Sequence, residues 1–136
     1  MIVLDTSVVV KWFSNEKHTE KALDIRKRIR NKDEIGVFPD LLLYELSNAL
    51  RYNPNFDEKD VIDALESIIN MDMEIVNLSS EVINLSITLA FERDITIYDS
   101  SYVALAQKLD ANFVTADEKL YNKIHDLGLS TYITDI

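Results

Sequence analysis

The chain has no cysteine, only two glycines and two prolines in 136 residues, and no apolar run long enough to cross a bilayer. Without cysteine there are no disulfides, thiolate nucleophiles or zinc–thiolate centres, which leaves carboxylate, hydroxyl and imidazole groups for any chemistry. The scarcity of glycine removes another class: neither Gly36 nor Gly128 lies in a glycine-rich loop of the P-loop or dinucleotide-binding kind. The opening Met1-Ile2-Val3-Leu4-Asp5 lacks the basic start of a secretory signal, so a cytoplasmic protein without a membrane span is expected. The two histidines, His18 and His125, fall among charged residues in predicted helices. They are expected to be surface residues rather than the acid and base of a metal-free ribonuclease.

Basic residues are also in short supply, fourteen against twenty-four acids, for a formal charge of −10. Such a balance is unfavourable for a protein that binds a bare polyanion. Two features weaken the objection. Half of the basic residues lie between Lys17 and Lys32, and acids gathered around a divalent metal would be neutralised locally.

What the chain does have is a regular alternation of short apolar runs and helical patterns, which its length fits into a single domain over residues 1–136. Ile2 to Leu4 predicts a strand ending at Asp5, and Val8 to Phe13 a helix with Trp12 and Phe13 as core or subunit-contact residues. Glu16 to Asn31 predicts a helix with Ala22, Ile25 and Ile29 on its apolar stripe and Lys17, Lys21, Arg28 and Lys32 on a neighbouring one, expected to be a solvated face with pairs such as Asp24 with Arg28 in preference to an RNA-backbone track. Ile35 to Phe38 is a second strand. Leu41 to Tyr52 is a helix with Leu42, Leu46 and Ala49 inward, and Asp57 to Met71 another through Val61, Ile62, Leu65, Ile68 and Ile69. A third strand at Glu74 to Val76 and a helix from Ser79 to about Arg93 follow. Next come an apolar run at Ile95 to Tyr98, a helix over Ser100 to Leu109, and a strand at Phe113 to Ala116. The pattern closes with a helix from Glu118 stopped by Gly128 and a last strand near Thr131 to Ile133. Strands alternating with helices imply an α/β fold whose parallel sheet has helices on both faces and all strand C-termini on one edge.

Acids recur at that edge. Asp5, Asp99 and Asp117 each stand where an apolar run gives way to a helix, the place where α/β proteins bind ligands. A single Asp there is ordinarily a helix N-cap; three in one chain ask for more. Glu45 sits on the apolar stripe of its helix, where a buried carboxylate must be paired, protonated or bound to a cation, whereas one at the boundary of the stripe needs no partner. If Asp5, Glu45, Asp99 and Asp117 converge, their repulsion amounts to a few kcal/mol even at an effective dielectric of about 20. An oxygen-only ligand set selects a hard divalent ion, Mg²⁺ or Mn²⁺, and phosphodiester hydrolysis is the natural use of such a site.

Four segments together resemble the PIN-domain family, and within it the VapC-type toxins of type II toxin–antitoxin systems: MIVLDTS (1–7), FPDLLLYELSNAL (38–50), YDSSYVALA (98–106) and FVTADEKL (113–120). The resemblance spans essentially the whole chain. It implies a three-layer α/β/α fold with a central parallel sheet of about five short strands. It further implies a Mg²⁺- or Mn²⁺-dependent endoribonuclease acting on RNA, a homodimer, and a cognate antitoxin. Carried over residue by residue, Asp5 and Asp99 resemble the principal metal ligands, with Glu45 and Asp117 completing the acidic pocket. Thr6 and Thr115 match hydroxyl positions beside the first and last acids, and Asn48 a position one turn after Glu45. Ser100 departs from the alanine that commonly follows the third acid. The acidity of the chain leaves RNA binding to the metal site, Lys11, the Lys17 to Lys32 helix, Arg51 and the dimer.

Other readings separate on the same residues. An aspartyl phosphatase would place a second acid two residues after the first, where Ser7 stands; a receiver domain would show adjacent acids early and a late lysine, a pattern not found. A non-catalytic PIN-like binding module would be expected to have lost one of the four acids, and none is lost. A housekeeping RNA-processing PIN nuclease would share every feature of the toxin.

Overall fold

A computed structural model describes residues 1–136 and places five short strands in one parallel sheet: β1 (Ile2–Leu4), β2 (Gly36–Pro39), β3 (Glu74–Val76), β4 (Asn112–Thr115) and β5 (Ser130–Tyr132), in the order β3-β2-β1-β4-β5. Ile2 is in register with both Gly36 and Asn112, and Phe113 with Ser130. The apolar runs of β1, β2 and β4 are buried on both faces, as parallel strands between helical layers must be. The edge strands β3 and β5 are only partly covered.

Seven helices connect the strands: α1 (Thr6–Val9), α2 (Thr19–Arg30), α3 (Leu41–Arg51), α4 (Glu58–Ile69), α5 (Ser80–Arg93), α6 (Ile97–Leu109) and α7 (Glu118–Ile124). The chain steps from β1 to β2 to β3 in one direction and from β3 back past β1 to β4 and β5 in the other. Right-handed crossovers therefore put α1 to α4 on one face and α5 to α7 on the opposite face, which makes the three layers. In α6, Tyr102 to Ala106 are all buried, since this helix lies across β1, β2 and β4 with α5 packed over it. No helix is long and apolar enough to cross a membrane.

Several predicted details shift. The run at Ile95 to Tyr98 is not a strand: Thr96 caps α6 by accepting from the Asp99 N–H at 3.0 Å, so the helix begins at Ile97 and Asp99 lies in its first turn. Helix α2 begins at Thr19 rather than Glu16. The Thr19 hydroxyl accepts from Glu16 N and donates to the Ser14 carbonyl, and His18 takes a left-handed conformation with φ 66°, which together hold the preceding residues out of the helix. Arg28 pairs with Glu34 at 3.5 Å instead of Asp24, because Glu34 is also fixed by the N-terminal amine at 2.6 Å. Trp12 is a core residue whose indole N–H donates to the Ala22 carbonyl at 2.8 Å. The left-handed helix ends that glycine would usually occupy fall instead to Lys32, Asp94 and Asp110, with φ of 66°, 52° and 51°; only α7 and its 3₁₀ extension end at a glycine, Gly128.

The inward stripe of α3 is Leu42, Leu46 and Leu50, each fully buried, while Ala49 is exposed. In α4, Ile62 and Ile69 are likewise exposed, so its buried stripe is carried by Ala64 and Ile68. Leu50→Ala is expected to lower stability by about 2–5 kcal/mol, against less than about 0.5 kcal/mol for Ala49→Gln, when both are measured by urea unfolding.

Candidate functional site

The order of the strands reverses direction at β1. Chain connections leave β1 and β4 on opposite sides, which opens a crevice beyond their C-terminal ends. Asp5 follows β1 directly and Asp117 lies two residues beyond β4. The helix after β2, α3, brings Glu45 from one helical layer, and the first turn of α6 brings Asp99 from the other.

Asp5 is the most buried of the four, 5% exposed, yet it makes no ion pair. Nor does it cap α1, although it stands at the N-cap position. Its two oxygens are each held by a hydroxyl: Ser7 Oγ donates to Oδ1, and Thr115 Oγ1 donates to Oδ2 at 2.6 Å. Each hydroxyl is oriented by the loop after β4. Ala116 N donates to Ser7 Oγ at 2.8 Å and Asp117 N donates to Thr115 Oγ1 at 3.1 Å. With their lone pairs receiving those amides, both hydroxyls direct their protons at the carboxylate. Burial raises the Asp5 pKa to about 7; the two hydroxyls oppose that rise and the charge of Asp99 adds to it.

Glu45 is half-buried and anchored through a single oxygen. Thr6 Oγ1 donates to Oε1 at 3.1 Å, and the Tyr102 hydroxyl donates to the same atom. Thr6 and Tyr102 are themselves 3.1 Å apart, so the three groups form a closed triangle. Tyr102 is 1% exposed, and its pKa is raised by burial and by its bond to Glu45, which commits its proton to that carboxylate.

Asp99 and Asp117 face one another across an open cavity of about 430 Å³ that Lys119 and Lys123 also line. The Asp99 pKa is raised by burial, then by the charges of Asp117 and Glu45. Asp117 is in part the helix cap its position suggested: its Oδ1 accepts from Leu120 N at 3.1 Å. Lys123 is directed away from both acids to Asp94, at 3.6 Å.

No basic side chain pairs with any of the four acids, so the arrangement carries uncompensated negative charge at the sheet edge. No three acids are preassembled to chelate one ion by themselves. This donor set suits a small hard cation that keeps several waters and is bound through one or two carboxylates, which is how Mg²⁺ is ordinarily held. Soft or nitrogen-seeking metals find no ligand here.

A family model for the PIN domain matches residues 2–125. The chain belongs to the PIN-domain family. It is 27% identical over 126 residues to ribonuclease VapC3 of Pyrobaculum aerophilum, a match covering 90% of this chain and 93% of that protein. Two solved structures share the fold. VapC20 of Mycobacterium tuberculosis, described as a sarcin–ricin loop cleaving toxin, has a TM-score of 0.71 at 14% identity, with 90% of this chain and 94% of that chain covered. VapBC2 of Rickettsia felis, bound to a DNA fragment from its promoter, has a TM-score of 0.72 at 18% identity, with 97% and 98% covered.

In this PIN domain the two supporting hydroxyls act on different acids, Thr115 on Asp5 and Thr6 on Glu45. Asn48 is exposed and lines a neighbouring groove with Arg51 and Tyr44, outside the hydrogen-bonded cluster. Ser100 is fully buried and donates to the Ser86 carbonyl at 2.7 Å, tying α6 to α5; its hydroxyl is occupied in helix packing and does not contact the acids. Two contributors were missed from sequence, Ser7 and Tyr102. The Thr-Ser pair after Asp5 was a visible signal for the first, but the reach of Tyr102 to a residue 57 positions away had none.

The raised Asp5 pKa has a consequence for stability. The folded state holds the proton up to about pH 7 whereas the unfolded chain releases it near 3.8, so between those values the native state binds the extra proton and stability falls as pH rises. Asp5 alone is expected to make the metal-free protein about 3 kcal/mol less stable at pH 8 than at pH 5, a contribution that Asp5→Asn removes, as read by urea unfolding in EDTA.

Proposed function

We propose that this PIN domain is a metal-dependent endoribonuclease that hydrolyses RNA phosphodiester bonds with Mg²⁺ or Mn²⁺, and that it is the toxin of a toxin–antitoxin pair. The observation that carries the proposal is a buried carboxylate, Asp5, with both oxygens oriented by hydroxyls and no cation to balance it, beside three further unpaired acids. Repulsion of this kind is retained where a cation from solution completes the site. Membership of the PIN family and likeness to a protein named as a ribonuclease support the choice of RNA. The toxin role, the antitoxin partner and a homodimeric state are carried by resemblance to the VapC group.

Asp5 and Asp99 are assigned as the principal ligands, with Glu45 and Asp117 completing the acidic pocket. Ser7 and Thr115 hold Asp5 with its oxygens fixed. Thr6 and Tyr102 bond only Oε1 of Glu45 and so leave Oε2 for the pocket. A divalent ion bound there supplies an activated water nucleophile and positive charge for the phosphoryl oxygens. The acids' own part is geometric: held within one crevice, they fix where that charge sits relative to the strand that enters the cavity. Asn48, on the exposed side of α3, is assigned to contact substrate beyond the acids.

Purified protein free of antitoxin is expected to cut RNA in Mg²⁺ or Mn²⁺, leaving 5′-phosphate and 3′-hydroxyl ends, and to lose all activity in EDTA. Asp99→Asn should lower the cleavage rate by roughly 100-fold or more without lowering the melting temperature of the metal-free protein, because it removes repulsion. Cyclic-phosphate ends, or cutting that survives EDTA, contradict the proposal.

A further inference from the structure

An acidic pocket repels the molecule it is proposed to cut, so affinity for RNA has to come from elsewhere on the surface. Residues 17–32 carry seven basic and two acidic side chains, whereas the remainder of the chain carries seven basic and twenty-two acidic ones. The structure divides the five of these cations that lie from Arg26 to Lys32. Arg28 and Lys32 are engaged with Glu34 and Asp72, at 3.5 Å and 3.4 Å. Arg26, Lys27 and Arg30 are not: with Leu23 and Asn31 they line one face of α2 around a surface cavity of about 430 Å³, and none forms an ion pair. The Arg26 Nε is buried without any hydrogen-bond partner. Burial and the neighbouring Arg30 charge both lower the Arg26 pKa, as expected where two guanidinium groups share a face with no anion between them.

We propose that this face of α2 binds the phosphate backbone of the RNA substrate at a distance from the acid pocket. The choice of RNA as ligand rests on the endoribonuclease reading; the anion preference rests on the side chains themselves. Guanidinium groups at i and i+4 offer forked donors to successive phosphates, and Lys27 adds a point charge. The helix begins on the pocket side of the sheet, where the His18 ring lies 6.3 Å from Tyr132 at the end of β5, and runs toward the edge where β2 begins. Its 12 residues span about 18 Å, the distance of roughly five phosphates along one strand.

Fluorescence anisotropy of a short labelled single-stranded RNA in EDTA, with the full-length protein at a series of salt concentrations, tests this. Lys27→Glu combined with Arg30→Glu is expected to weaken binding at least about tenfold and to reduce the slope of log Kd against log salt by about 1.4, at about 0.7 per lost contact. Lys59→Glu on α4 is the control and should change neither quantity. If the double variant fails to fold, Lys27→Gln with Arg30→Gln is read by the same criteria. Unchanged affinity and slope, an equal loss with Lys59→Glu, or a surface that captures a polyglutamate peptide while RNA binding stays intact would each overturn the inference. The two proposals fail separately. Cleavage by the wild-type protein with no effect of the α2 variants defeats this one alone, whereas RNA binding through α2 without metal-dependent cleavage defeats the catalytic reading and leaves this one standing.

Discussion

A carboxylate buried at the C-terminal end of the central strand, with no positive partner, is the constraint on which the rest of the molecule depends. Asp5 belongs to the turn that ends β1, so its depth is set by the sheet and it has no freedom to move into solvent. A group so placed costs several kcal/mol unless it is protonated, hydrogen-bonded or neutralised. The chain uses the first two remedies and leaves the third open: burial holds a proton on Asp5 up to about pH 7, Ser7 and Thr115 satisfy the oxygens, the loop after β4 orients the two hydroxyls, and no lysine or arginine forms an ion pair with it.

The same arrangement ties the architecture to the site. Because the Asp5 hydroxyl partners are gripped by Ala116 N and Asp117 N, the ends of β1 and β4 are fixed relative to one another, and Asp117 is placed by the bonds that hold Asp5. Across the crevice, the triangle of Thr6, Glu45 and Tyr102 joins α1, α3 and α6, which belong to both helical layers. The pocket is thus the point at which strands and both layers are cross-linked by polar contacts, while the apolar core below holds those elements in register. Acid repulsion is stored there because the remainder of the fold offsets it.

Much of this was legible in the sequence because it is local. Strand–Asp–helix junctions, the carboxylate on the α3 stripe and the alternation of elements follow from short-range pattern, and the parallel sheet follows from the alternation. What was not legible depends on separation in the chain. Hydrogen bonds spanning 57 and 110 positions assign Tyr102 to Glu45 and Thr115 to Asp5, and no periodicity encodes them. Leu50 rather than Ala49 is the inward residue because it continues the i, i+4 spacing of Leu42 and Leu46, and the start of α6 was set by the Thr96 cap that Asp99 completes. Whole-chain charge was the least informative feature, since it averaged an acid pocket with a basic helix that the fold keeps apart.

Everything in the pocket depends on the acid cluster being a cation site. Thermal unfolding at neutral pH with increasing Mn²⁺ measures this without reference to RNA or to cutting. A saturable rise in melting temperature, following the mass-action form for a ligand that binds only the native state and lost when Asp99 is replaced by Asn, is the predicted result. A melting temperature indifferent to Mn²⁺, or a rise that survives that replacement, would contradict it.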